Sequence, residues 1–217
     1  MTLSWPRLLF VTVLPLLLMT AATILFKGVF HYLTSPQIII MGVLLTEIAL
    51  LVSARWVRPS LIPRPTWHGT WSNLFRGVLF GISANLILLG LAWLFLTVHW
   101  HLWGFAGNAS ILLNPLQQAS FMTKLITDLL ITIASPFAEE TFFRGALWTG
   151  FAQKLSPRSA TILSAVIFSL YHGEPSSFFP LFFMGLLLGF LRSKWGLSVS
   201  GPAHAAFNAT TLLMIWL

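Results

Sequence analysis

Apolar runs long enough to cross a bilayer recur along this 217-residue chain, and ten of its twelve Lys and Arg residues fall between those runs. At about 20 residues per spanning helix, the length accommodates roughly seven spans with short connections. Charged residues are only 8% of the chain and apolar ones 57%, whereas soluble domains carry about 25% charged residues. The expected fold is therefore all-α: a polytopic membrane helical bundle of about seven segments, between six and eight, some of them short or broken. Residues 1–217 read as a single integral membrane domain, with no soluble domain attached.

The segments are Leu8–Phe26, Gln37–Ala54, Gly77–Val98, Phe121–Ala152, Ala160–His172, Phe178–Leu191 and a last piece reaching Leu217. Pro136 is expected to bend or break the long fourth segment, because proline lacks an N–H and crowds the preceding turn. Tryptophans gather near segment ends (Trp5, Trp56, Trp67, Trp71, Trp100, Trp103, Trp195, Trp216), as an interfacial belt does. The net charge of +7 is no nucleic-acid signature, since the basic residues are spread between apolar segments rather than gathered on one polar face. They report orientation instead. With the N-terminus inside and the segments alternating, Arg7, Arg55, Arg58, Arg64, Arg76, Lys154, Arg158, Arg192 and Lys194 lie inside, Lys27 and Lys124 lie outside, and Arg144 is buried. Nine against two favours N-inside, C-outside. The first segment, with an apolar run of about 19 residues against the 7–15 of a signal peptide, reads as a retained anchor. The compact length points to a prokaryotic cytoplasmic (inner) membrane. The absence of cysteine excludes disulfides, thiolate metal sites and a cysteine nucleophile.

Against this background Glu139 and Glu140 stand out, two of only five acidic residues, side by side among Phe, Ala and Trp. A charge near a bilayer centre costs about 2.5–3.5 kcal/mol on insertion scales, so such residues face a protein interior or a wet cavity and mark function by default. Arg144 follows Glu140 at i+4 and shares its helix face. It neutralises and orients that carboxylate and leaves Glu139, about 100° around the helix, free to act as a base. A purely structural ion pair would account for Glu140 and Arg144 but not for Glu139.

Two further polar islands lie in the C-terminal half. In Phe168-Ser169-Leu170-Tyr171-His172, Phe168 and His172 share a face at the end of a short apolar segment. In His204-Ala205-Ala206-Phe207-Asn208, directly after Gly201-Pro202, His204 and Asn208 project together, flanked by small residues that permit close helix approach. Alone, the His204/Asn208 pair fits interhelical hydrogen bonding as well as function. Together, a carboxylate base, two imidazoles and an amide are the parts for water-driven amide hydrolysis: Glu activates water, His holds the water and shuttles its proton, and a second His with Asn donates to the oxyanion.

The order Glu-Glu-x-x-x-Arg, Phe-x-x-x-His, His-x-x-x-Asn resembles the CAAX-processing and bacteriocin-processing (CPBP, or Abi) family of intramembrane proteases, which includes the CAAX prenyl endopeptidase. The matching positions are Glu139, Glu140, Arg144, Phe168, His172, His204 and Asn208. They lie in residues 121–217, which correspond to the family's catalytic core; residues 1–120 resemble it only as generic membrane segments. The resemblance implies a site in a cavity within the bilayer, with Glu139 and His172 on the water, His204 and Asn208 on the oxyanion, Glu140 and Arg144 in support, and Phe168 lining the substrate cavity. The implied partners are the lipid bilayer and a membrane-anchored protein or peptide substrate: a prenylated tail, a bacteriocin or pheromone precursor, or a C-terminal sorting tag. No nucleic acid is implied. Two His and a Glu resemble a zinc triad in type, but Asn is a poor zinc ligand and His-Glu-x-x-His spacing is absent, so a metal-free site without cofactors is favoured over zinc. The competing class is a non-catalytic transporter or a bacteriocin-immunity binding protein. Paired halves with corresponding broken segments would mark a transporter, and no such repeat is present.

Depth adds an expectation. At 1.5 Å per residue Glu139 lies about 22 Å from the boundary near Lys154, and His172 about 20 Å from Arg158. A helical path would leave His204 only about 10 Å deep, so an extended, irregular dip is expected over Gly196–Pro202. Glu47, in mid-segment, is expected to be structural and to meet Asn85. Glu174 reads as a rim residue, and His31, His68, His99 and His101 as interfacial.

Overall fold

Each of the seven segments is a helix in the computed structural model, which describes residues 3–30, 33, 35–57, 69–99, 118–173 and 175–216. The helices are α1 (Trp5–Phe30), α2 (Ser35–Val57), α3 (Trp71–His99), α4 (Phe121–Ala152), α5 (Pro157–Tyr171), α6 (Phe178–Trp195) and α7 (Leu197–Trp216). No strand occurs among the described residues. Five of the helices, α1 to α4 and α6, are long and apolar enough to cross a membrane. Helix α5, with 15 residues, rises about 22 Å, short of a hydrocarbon core of about 30 Å. The links 58–68 and 100–117, with His68 and His101, lie outside the described residues, as do His31 and Glu174.

Local chemistry sets the helix ends. Ser120 caps α4 by accepting the Thr123 N–H at 3.2 Å, and Ser156 caps α5 by accepting the Ser159 N–H at 3.1 Å, with Pro157 in the first turn. Gly196, at φ 82°, closes α6 in a left-handed conformation. The next residue already begins α7, and Gly196 O accepts the N–H groups of Val199 and Ser200. The expected extended dip over Gly196–Pro202 is therefore replaced by a one-residue turn and a helix. The reason is that the corner itself is buried: Leu197 is 1% exposed and Val199 and Ser200 are 0%. His204 thus reaches the protein interior without extended chain.

Pro136 does not break α4. The helix widens just before it, with π geometry over Leu130–Ala134, and again over Glu140–Leu147. A π turn inserts a residue and so absorbs the missing donor and the ring that would crowd a regular turn.

Small residues then set which helices touch. A Cβ at Gly77 or Gly81 of α3 would run into the backbone of Val199 or Ala203 on α7. A Cβ at Gly185 or Gly189 of α6 would meet Ala165 or Thr161 on α5. Both pairs have the small-xxx-small spacing that lets helix backbones approach in a bilayer. Helices α1, α2 and α4 close the other side through Leu8, Leu50, Val57, Phe142, Leu147 and Phe151. Large apolar side chains such as Ile24, Leu25 and Phe121 point outward, whereas Glu140 and Arg144 are fully enclosed. An apolar exterior around a charged interior is the arrangement a lipid solvent selects.

Candidate active site

The second π stretch of α4 carries the charged centre. Arg144 Nη1 lies 3.1 Å from Glu140 Oε1, both side chains being fully buried. The guanidinium also donates to Gly185 O on α6 at 3.4 Å and sits 4.3 Å above the Phe168 ring of α5. A carboxylate, a carbonyl and an aromatic face thus hold one cation from three helices.

Helix α7 completes the cluster. His204 directs Nδ1 at Glu140 Oε1 (3.2 Å) and Nε2 at Glu139 Oε2 (3.7 Å). A carboxylate only accepts, so His204 Nδ1 carries the proton in this contact. Glu139 remains the more accessible of the two acids, at 13% exposure against 0% for Glu140, and its Oε2 has no hydrogen-bond partner among the described residues. Arg144, His204 and the two glutamates form one group in which the guanidinium and the imidazole each face a carboxylate.

His172 joins indirectly. Its ring stands edge-on to Phe168 at 4.8 Å, and Phe168 in turn meets the His204 ring at 5.7 Å. The Phe168 carbonyl receives His172 Nδ1 at 2.8 Å. That bond fixes the proton on Nδ1 and leaves Nε2 of the neutral ring as a lone-pair acceptor. Asn208 makes no side-chain hydrogen bond with this group, and its Nδ2 donates to the backbone carbonyl of Ile131 in α4 at 2.9 Å. Of the residues singled out in the sequence, Glu139, Glu140, Arg144 and His204 are in mutual contact. Phe168 bridges them to His172, and Asn208 lies one turn along α7, bonded to the first π stretch.

Three residues join this centre that the motifs did not include. Glu47 of α2, 7% exposed, has Glu139 and Ser135 as polar neighbours rather than the expected Asn85. Asn85 instead ties α3 to α7, with Nδ2 near Phe207 O, Thr210 Oγ1 and Thr211 Oγ1. Arg192 of α6, counted above among the inner-boundary charges, donates from Nε to Arg144 O at 3.2 Å and from Nη2 to Thr149 Oγ1 at 3.2 Å, with its guanidinium over Trp148. Ser164 of α5 donates to Phe143 O at 3.0 Å. Side chains from α5 and α6 thus add hydrogen bonds to carbonyls of the widened turn of α4, Phe143 O also accepting the Trp148 N–H. An acidic residue in mid-segment was the only sequence signal for Glu47; nothing local marked Arg192 or Ser164.

A groove of about 570 Å³ runs beside the cluster between α3, α4 and α7. Leu74, Val78, Pro136, Phe137, Pro202 and Ala205 are among its walls, whereas Glu139, Glu140, Arg144, His172, His204 and Asn208 do not line it. Its two threonines, Thr132 and Thr210, donate their hydroxyls to carbonyls of their own helices, leaving an apolar trough. No three His, Cys, Asp or Glu side chains among the described residues come together in an arrangement that would hold a metal ion.

Helices apolar on the outside, enclosing paired carboxylates, a guanidinium and imidazoles, define an integral membrane protein with a polar centre sealed in its bundle. Residues 120–210, which run from the cap of α4 to near the end of α7, match the family described as Type II CAAX prenyl endopeptidase Rce1-like. In this region the chain is similar to that family, and α1 to α3 precede the match. No curated protein and no solved structure matches the chain.

Proposed function

We propose that the protein is an intramembrane endopeptidase that hydrolyses a peptide bond of a membrane-anchored protein or peptide with a water activated by Glu139. The observation that carries this reading is the approach of His204 Nε2 to Glu139 Oε2, 3.7 Å, over the buried Glu140–Arg144 pair. Glu139 accepts a proton from water as the water oxygen attacks the scissile carbonyl carbon. His172, with Nε2 as acceptor, shares the water and passes the proton toward the leaving amine as the C–N bond breaks. The carbonyl oxygen becomes an oxyanion, to which His204 and Asn208 donate. Because Nδ1 of His204 already donates to Glu140, donation from Nε2 requires the ring to hold both protons. Glu140 and Arg144 orient His204 and do not react.

The groove supports a substrate whose anchor is apolar, since its walls offer carbon and no free polar group. The reaction needs no metal and no cofactor. The protein resides in a prokaryotic cytoplasmic membrane with its N-terminus inside, the orientation favoured by its Lys and Arg distribution. The test is Glu139→Gln, which keeps size and hydrogen bonding but cannot take the proton. Membrane-protein termini are compared by mass spectrometry between cells carrying wild type and variant, and the purified, EDTA-treated wild type is assayed on the precursors that accumulate. Precursors that persist only with the variant, and cleavage that survives EDTA, are expected. Identical termini would overturn the proteolytic reading, and activity lost to EDTA and restored by zinc would overturn the metal-free one.

A further inference from the structure

The first π stretch of α4 leaves one carbonyl without a backbone donor. In the π register each N–H bonds the carbonyl five residues back, and the Ser135 N–H goes to Leu130 O. The donor due to Ile131 O is therefore residue 136, a proline, which has no N–H. An unsatisfied carbonyl inside a membrane protein is strongly disfavoured. Here it is satisfied across the bundle: Asn208 Nδ2 donates to Ile131 O at 2.9 Å. One amide proton is thereby committed and the amide plane is fixed, while the second Nδ2 proton stays available.

We infer that Pro136 is a positioning residue, which by withholding an N–H from the Ile131 carbonyl orients the Asn208 side-chain amide toward the reacting carbonyl. The inference rests on the role proposed above for Asn208. Substitution of Pro136 by Ala supplies a competing donor whichever way the helix settles. If the π register persists, the new N–H of residue 136 reaches Ile131 O; if α4 reverts to regular helix, the Ser135 N–H does. Either way the constraint on Asn208 relaxes, while the helix gains a hydrogen bond. The expected signature is a protein as stable as wild type or more so, yet slower. A proline that merely shapes the helix would change Tm without this pattern.

The experiment is a double-mutant cycle over Pro136→Ala and Asn208→Ala, measuring kcat, KM and Tm for each purified protein. Pro136→Ala is expected to keep or raise Tm and to lower kcat about 10–100-fold with KM within about twofold, the scale of a misplaced group. Asn208→Ala alone should lower kcat about 10²–10³-fold and lower Tm by roughly 2–10 °C, because it orphans the carbonyl. In the Pro136→Ala background both losses should shrink, kcat by less than about tenfold and Tm by less than about 2 °C. Unchanged kcat in Pro136→Ala, or losses that multiply independently, would overturn the inference. The two readings fail separately. Coupled Tm values with kcat unaffected by Asn208→Ala would leave the hydrogen bond intact but remove Asn208, and with it the positioning role, from the chemistry. If Pro136→Ala does not fold, Asn208→Ala still decides: an unaltered Tm would mean that the Ile131 carbonyl does not depend on Asn208.

Discussion

Arg144→Ala should be among the most destabilising single substitutions in this protein. Arg144 and Glu140 are both fully buried at 3.1 Å, so the change leaves a carboxylate in the bundle that has lost its guanidinium and faces His204 at 3.2 Å. Breaking a buried pair from one side costs about 3–5 kcal/mol. Loss of the Phe168 face contact at 4.3 Å adds on the order of 1–2 kcal/mol. At about 2–4 °C per kcal/mol for a chain of this size, Tm should fall by roughly 8–28 °C. A charge-free replacement separates pairing from packing. Glu140→Gln with Arg144→Met fills similar volume, keeps an acceptor for His204 Nδ1 and leaves no ion behind, and such replacements are often neutral or stabilising. Thermal unfolding of the three purified proteins (wild type, Arg144→Ala and the double variant) in one detergent is the assay, and the double variant should recover more than half of the lost Tm. A fall under about 2 °C for Arg144→Ala, or a double variant no more stable than it, would refute the view that uncompensated charge governs this centre.

Gly81→Val should destabilise by about 1–3 kcal/mol or more, because the added Cβ overlaps the Ala203 carbonyl, which is backbone and cannot swing aside. Gly90→Ala on the same helix, where a Cβ meets nothing within 4 Å, should be neutral or slightly stabilising when measured in the same melting experiment. Activity should fall with stability in Gly81→Val, since Ala203 adjoins His204. Glu47→Gln should keep activity within about threefold and Tm at or above wild type. The amide preserves size near Ser135 and removes a carboxylate oxygen that lacks a partner beside Glu139. A kinetic loss as large as that of Glu139→Gln would instead bring Glu47 into the reaction.

The helices were legible because each apolar run is a one-dimensional property of the chain. Several ends lie beyond the runs, as in Trp5–Phe30 against Leu8–Phe26, since a helix continues into the interface where Trp and Lys are tolerated. Spacing also gave the contacts that lie within one helix: Glu140 with Arg144, and Phe168 with His172. Contacts that depend on which helices are neighbours were not legible in this way. Glu47 and Asn85 sit at comparable depths on successive helices, yet α2 faces α4 whereas α3 packs on α7, and the two polar residues part.

Pro136 and Gly196 illustrate a subtler limit. Sequence identifies both as breaks in regular structure, and in both cases the break is compensated by residues distant in the chain. A proline removes one donor and implies a bend only if nothing else accepts the geometry. Here a π turn accommodates the ring, and an amide from a helix some seventy residues later serves the freed carbonyl. A glycine followed by Ser and Pro favours an extended link only if the link is solvated. With Val199 and Ser200 fully enclosed, extended chain would bury unpaired N–H and C=O groups, and a helix beginning at once is the path that satisfies them. His204 therefore reaches the carboxylates through the burial of a turn that local propensity alone would have drawn out.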